Sequence, residues 1–229
     1  RKIWSHDSQR GSALASGIES NPLLLADGTV IYGKDDGYLY AVDRSGEFIW
    51  ETALGDYYKP HLPFDDNEQI IASPAAGPDH TIYVCSHWGN VYNPPAVERL
   101  KKRTPPRKRD EIEDLEGKWS DKWGKLYAID SRNGKIKWVF DPSLNSVSQC
   151  GKTNICGSPA VDTHGTVYFS AFDKKSGYLY AVKPDGSLKW RYPDNPECSP
   201  IEQLTSSVSI SSNGTLYAGC NDQYVYAYY

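Results

Sequence analysis

Three groups of side chains in this 229-residue sequence have the types and spacing that chemistry would need. His6, His61 and His87 offer imidazoles, which ligate transition metals if the fold brings them together. Asp65-Asp66 with Glu68 offer oxygens for a hard cation, although an acidic loop is the simpler description. Cys150 and Cys156 frame the polar run CGKTNIC and could either close a small disulfide loop or stay as two thiols. The five cysteines are odd in number and show no CxxC or Cys/His ligand spacing, which argues against haem attachment and structural zinc. Aromatic side chains form the other chemical group: Tyr57, Tyr58, Trp88, Trp119 and Trp123 could grip a ligand or pin loops to a scaffold. No nucleophile–base pair, phosphate loop or carboxylate pair at fixed spacing points to another enzyme class.

Bulk properties narrow the partners. Charged residues make up 24% of the chain and the net charge is −4, so no global field favours nucleic acid or an anionic membrane. The run RLKKRTPPRKR, Arg99 to Arg109, carries seven basic residues, but DEIEDLE follows at once with five acidic ones. No aromatic interleaves the basic run and the acidic block cancels its field, so it reads as a solvated excursion or a docking arm for another protein. No apolar run is long enough to span a bilayer. The sequence begins at Arg1 and offers no signal sequence to read, and an exported location, periplasmic or extracellular, is the working expectation.

What must position those loops is a repeat. GYLYAVDRSGEFIW, Gly37 to Trp50, returns as GKLYAIDSRNGKIKW at Gly124 to Trp138 and as GYLYAVKPDGSLKW at Gly177 to Trp190. Upstream of each copy stands an Asn-Pro or Ser-Pro, a short apolar run and a tight turn: NPLLLADGTVIYG, SPAAGPDHTIYVC and SPAVDTHGTVYFS. A fourth unit, SSVSISSNGTLYAGC, keeps the turn and loses the Pro. Tyr38, Tyr40 and Val42 alternate with Leu39 and Ala41, the period of an antiparallel strand, and the later copies keep that alternation. Asp27-Gly28 and Asn213-Gly214 are hairpin signals. Each unit therefore predicts four short strands. One such sheet has two apolar faces, and stacking the sheets around an axis buries both, which predicts an all-β propeller of four-stranded antiparallel blades. The repeats fall at about 21–50, 73–138 with an insertion at 88–123, 158–190, and 206–229 together with 1–4.

The tyrosine-rich strand followed by Ala-x-Asp-x3-Gly-x3-Trp resembles the tryptophan-docking repeat of the quinoprotein, or PQQ-like, propellers. Ala128, Asp130, Gly134 and Trp138 match it in full, and Ala41, Asp43, Gly46 and Trp50 match with one residue fewer in the turn. In the third copy Lys183 replaces the Asp, leaving Ala181, Gly186 and Trp190. The resemblance covers nearly the whole chain outside the insertion and the longer loops, and it implies that Trp50, Trp138 and Trp190 pack between neighbouring blades. The head RKIW looks like the last strand of such a unit, with Trp4 in the place of Trp50, and the tail stops before that strand. Two arrangements follow, a self-closing four-repeat ring whose last blade is completed by the N-terminal strand, which is the expectation, and a four-repeat slice of a larger ring.

In a propeller of this connectivity the links between blades and between second and third strands emerge on one face. Here the opposite face has only tight turns, with His80 and His164 among them, and all the long segments lie on the first. Binding on rigid scaffolds resides in such loops. The reading is a non-catalytic scaffold that binds a protein partner through this face, at Tyr57, Tyr58, His61, His87, Trp88, Trp119 and Trp123, with no resident cofactor or metal. The resemblance also implies an alternative, a PQQ-dependent dehydrogenase with Ca²⁺ or a fragment of one, although no two cysteines here are adjacent as in many of those enzymes. The loop aromatics leave a third, a carbohydrate-binding propeller.

Overall fold

A computed structural model describes residues 2–6, 17–54, 68–88, 124–145, 155, 157–172, 176–193 and 203–229. The architecture is all-β. The first sheet runs β1 (Leu23–Leu24), β2 (Val30–Gly33), β3 (Tyr38–Val42) and β4 (Phe48–Ala53), each antiparallel to the one before. The second comprises β6 (Ala75–Ala76), β7 (Thr81–Cys85), β9 (Leu126–Asp130) and β10 (Ile136–Phe140). The third comprises β11 (Ala160–Val161), β12 (Val167–Phe172), β13 (Gly177–Val182) and β14 (Leu188–Tyr192). The fourth has three strands, β15 (Ser209–Ile210), β16 (Leu216–Gly219) and β17 (Val225–Tyr228). These are the blades of a propeller, as the repeat predicts.

The repeated phrase is explained by the register of its two strands. Ala41 faces Trp50, Ala128 faces Trp138 and Ala181 faces Trp190. In each blade the residue before the tryptophan is extra, so Val42 pairs with Phe48, Ile129 with Ile136 and Val182 with Leu188. This bulge turns the outer strand, and the small alanine opposite leaves room for the indole. The turn before the outer strand closes on a left-handed glycine, with φ +89° at Gly46 and +72° at Gly134.

The core lies between blades. One cluster joins Ile31, Leu39, Ala41 and Trp50 of blade 1 to Ile82, Val84, Tyr127 and Ile129 of blade 2. A second joins Tyr83, Leu126, Ala128 and Phe140 of blade 2 to Phe169, Tyr178, Tyr180 and Val182 of blade 3. A third joins Leu179 of blade 3 to Leu204, Val208, Leu216 and Ala218 of blade 4, with Trp190 packed against it. Blades 2 and 3 therefore bury both faces because each has a neighbour on either side.

The indoles lock these joints. Trp50 Nε1–H donates to the Ser131 carbonyl at 2.9 Å, and its ring lies over Gly134 of the next blade. Trp138 repeats this on the Pro184 carbonyl at 2.8 Å and Gly186. Trp4 does the same to blade 1, donating to the Arg44 carbonyl at 3.0 Å with its ring over Gly46. The expectation of a last blade completed by the N-terminal strand is not met among the described residues. Lys2–His6 forms no strand, and β17 pairs with β16 alone.

The turns carry an acid-sensitive element. Asp43 accepts from the Ser45 hydroxyl and from the Ser45 and Glu47 amides, and Asp185 accepts from the Ser187 hydroxyl and amide. Both carboxyls are held below their ordinary range, chiefly by the serine hydroxyls. Asp130 takes a two-pronged bond from the Arg132 guanidinium, at 2.9 and 2.6 Å, and that bond holds its carboxyl well below the usual range. Folded values below the unfolded reference of about 4 give stability that is complete above that value and lost as pH falls through the depressed values. The thermal midpoint should therefore fall steadily once pH drops below about 4, and Asp130→Asn should flatten part of that slope. A midpoint flat from neutral pH to about 2 would show that these turns contribute nothing.

Candidate interaction face

The face that carries the long segments is described at its roots. In blade 1 the turn Lys34–Gly37 joins β2 to β3 and is held from both sides. Lys34 and Asp36 are buried and form an ion pair at 3.2 Å. Asp36 also accepts from the Tyr38 amide at 3.0 Å and from the Tyr40 hydroxyl at 2.9 Å. Burial first, and the Asp36 charge second, push the Tyr40 hydroxyl far above its ordinary range, so it stays a donor. The Ile70 amide donates to the Lys34 carbonyl and the Gly17 amide to Asp35, which seats the incoming and outgoing segments on this turn.

Blade 4 repeats the device. Asp222 accepts from the Tyr224 amide at 3.0 Å and from the Tyr226 hydroxyl at 2.6 Å, and that hydroxyl is pushed up to about 12, chiefly by the bond to Asp222. The spacing Asp-x-Tyr-x-Tyr is common to Asp36-Gly-Tyr-Leu-Tyr40 and Asp222-Gln-Tyr-Val-Tyr226. Sequence reasoning read those tyrosines only as strand alternation, and the aspartate two residues ahead is the signal that it missed. Blades 1 and 4 use the clasp, whereas blade 3 has Ser176 in place of the aspartate and blade 2 opens at the same place into the insertion.

The root of that insertion has its own support. β5 (Glu68–Gln69) pairs antiparallel with β8 (His87–Trp88), an element that the repeat does not predict. It ties the segment leading into blade 2 to the segment leading into the insertion. His87 Nδ1 lies 3.2 Å from the Ile155 carbonyl, so the same strand is braced against the entry to blade 3. At Gly124, where the chain returns from the insertion, a Cβ would lie 2.4 Å from the Ser86 carbonyl oxygen. Backbone meets backbone there, which only glycine allows.

A second set of bonds fixes the inner strands at their entry. The Asn21 amide donates to Ser73 Oγ at 2.9 Å, the Ser73 amide to Ser158 Oγ at 2.8 Å and the Ser158 amide to Ser207 Oγ at 3.0 Å. The residue before the inner-strand proline thus links each blade to the next, which accounts for the recurring Asn-Pro and Ser-Pro.

Of the residues that the sequence singles out for binding, His87 and Trp88 lie on β8. Tyr57, Tyr58, His61, Trp119 and Trp123 lie outside the described residues, as do Cys150, Cys156 and Asp65-Asp66. His6 stacks on Phe48 of β4, with ring centres 6.4 Å apart, so it is held by blade 1 while His87 is braced on blade 3. Among the described residues no three His, Cys, Asp or Glu side chains converge to hold a metal ion. His80 and His164 sit in exposed turns of the opposite face.

The sequence family described as outer membrane protein assembly factor BamB matches residues 1–140. The chain belongs to this PQQ-like repeat family. Among solved structures, the chain is similar to quinohemoprotein alcohol dehydrogenase from Comamonas testosteroni, at 15% identity and a TM-score of 0.58. That match covers 99% of this chain and 36% of that one. It is similar to a europium-containing methanol dehydrogenase at 14% identity and a TM-score of 0.56, over 89% of this chain and 38% of that one. BamB from Moraxella catarrhalis matches at 17% identity and a TM-score of 0.44, over 98% of this chain and 62% of that one. The chain thus spans less than two thirds of the length of each. The family and the two dehydrogenase folds agree on the PQQ-like propeller.

Proposed function

We propose that this chain is a non-catalytic propeller scaffold that binds another protein through its long-loop face. The residues proposed for binding are Tyr57, Tyr58, His61, His87, Trp88, Trp119 and Trp123, of which His87 and Trp88 lie on β8. The observation that carries the reading is membership of the family described as an outer membrane protein assembly factor. The same description favours an exported location. The described geometry supports it: the polar groups of this face that could do chemistry are engaged in holding loops. Asp36 and Tyr40, and Asp222 and Tyr226, clasp their own turns, and His87 braces β8.

The dehydrogenase reading rests on fold likeness alone, and the residues present do not fit a quinone and its calcium ion. No two cysteines are adjacent in the sequence, and the carboxylates of Asp43, Asp130 and Asp185 are spent on turns. Photo-crosslinking at two positions tests the scaffold. A benzophenone residue at position 88 should give discrete protein adducts in the envelope fraction of the source cells, and one at the exposed turn position 164 should give none. Adducts from position 164 alone would overturn the loop-face assignment. Dye reduction by the purified chain with added quinone and Ca²⁺ would overturn the scaffold reading itself.

A further inference from the structure

Asn213-Gly214-Thr215 is the one Asn-x-Ser/Thr triplet in the sequence. It forms the turn between β15 and β16, on the face opposite the long loops. The Ser211 amide donates to the Thr215 carbonyl at 2.9 Å and the Gly214 amide to the Ser211 carbonyl at 3.0 Å. Ser212, Asn213 and Gly214 are exposed, and a Cβ at Gly214 would meet nothing within 4 Å. Asp79 and His164, at the tips of the corresponding turns, are exposed too, although blades 2 and 3 have a neighbour on either side. The tip therefore projects clear of the ring wherever it falls.

The turn uses the side-chain oxygen of Asn213 and not its nitrogen. Asn213 Oδ1 accepts from the Thr215 amide at 3.2 Å and from the Ser211 hydroxyl. Blade 1 builds the same turn with an aspartate. There the Leu25 amide donates to the Thr29 carbonyl, the Gly28 amide to the Leu25 carbonyl, and Asp27 Oδ1 accepts from the Thr29 amide at 2.9 Å. A carboxylate thus does all that the fold asks of this position. Asn213 Nδ2 donates no hydrogen bond among the described residues, and a threonine hydroxyl follows it two residues on. Asn133-Gly134-Lys135 supplies the contrast. Asn133 is also exposed, and its oxygen accepts from the Lys135 amide at 2.9 Å, but no hydroxyl residue follows.

We infer that Asn213 is the acceptor of an N-linked glycan, an inference that rests on the exported location proposed above. Its Nδ2 forms a bond to the anomeric carbon of an oligosaccharide carried on a polyprenyl diphosphate. The bond from that carbon to the diphosphate oxygen breaks, the lipid diphosphate leaves with the electron pair, and Nδ2 gives up one proton. The glycan projects from the tight-turn face, away from Trp88 and the long loops. It adds a bulky, solubilising group to one face of the scaffold and leaves the face proposed to bind uncovered.

The test is the intact mass of the full chain recovered from the source cells, before and after treatment with a peptide-N-glycosidase. An added oligosaccharide mass is expected, which the enzyme removes while converting the Asn213 side chain to a carboxylate. Asn213→Asp should abolish the added mass with the thermal midpoint unchanged, since Asp27 already serves the same turn. Thr215→Ser should keep the glycan and Thr215→Val should lose it. An unmodified Asn213 overturns the inference, as does a glycan that survives Asn213→Asp or one carried on Asn133. Recovery of the unmodified chain from the envelope fraction sinks the glycan and leaves the exported location standing, whereas recovery from the cell interior overturns both. The position-88 adducts, scored on the same cells, report the scaffold reading separately.

Discussion

Trp50→Ala should lower the free energy of unfolding by about 3–5 kcal/mol, read from the midpoint of a urea transition. The indole is only 6% exposed and belongs to the cluster joining blades 1 and 2. Its removal opens a ring-sized cavity in that joint and leaves the Ser131 carbonyl without its 2.9 Å donor. The same truncation at Trp4 should cost less, because that ring is 37% exposed although it makes the equivalent bond. Equal costs at the two positions would mean that the joint is not where the stability lies.

Gly134→Ala should cost about 2–4 kcal/mol although it adds one methyl group. Gly134 has φ +72°, a conformation disfavoured by any side chain. A Cβ there would lie 2.5 Å from Thr52 Oγ1 and 2.7 to 2.9 Å from atoms of the Trp50 ring. The ring is held by its bond to Ser131, so the methyl cannot be relieved by a rotamer change alone. Gly214 has a similar φ of +87° but meets nothing within 4 Å. Gly214→Ala should therefore show only the backbone cost, about 1 kcal/mol.

The propeller was legible because its information is local. Alternation in Tyr38–Val42, the Asp-Gly turn at Asp27-Gly28 and the Gly-x3-Trp spacing each concern a few neighbouring residues. The sequence also marks Trp50 and Trp138 as joint residues, but not what they touch, since their partners Ser131 and Pro184 lie 81 and 46 residues away. The serine ladder was visible only as a recurring dipeptide for the same reason, its bonds spanning 49 to 85 residues. β5 and β8 were not legible at all: two-residue strands lack periodicity, and their pairing is decided by packing at the root of an insertion. The Asp36–Tyr40 and Asp222–Tyr226 clasps were readable in principle, at four residues' separation, but the tyrosine pattern hid them. Trp4 seats on Arg44 and Gly46 of blade 1, but Lys2–His6 forms no strand, because strand pairing is decided by distant partners that a short match to KIKW does not contain.

The repeated phrase is a joint, in which a tryptophan of one blade is fitted to a glycine turn of the next. A double-mutant cycle between Trp50 and Gly134 measures that fit directly. With the indole gone, the added methyl no longer meets the ring and only the Thr52 contact and the backbone cost remain, so the cost of Gly134→Ala should fall by about 1 kcal/mol or more. If the two substitutions instead destabilise additively, ring and turn do not act as a unit and the joint assigned to this phrase is contradicted.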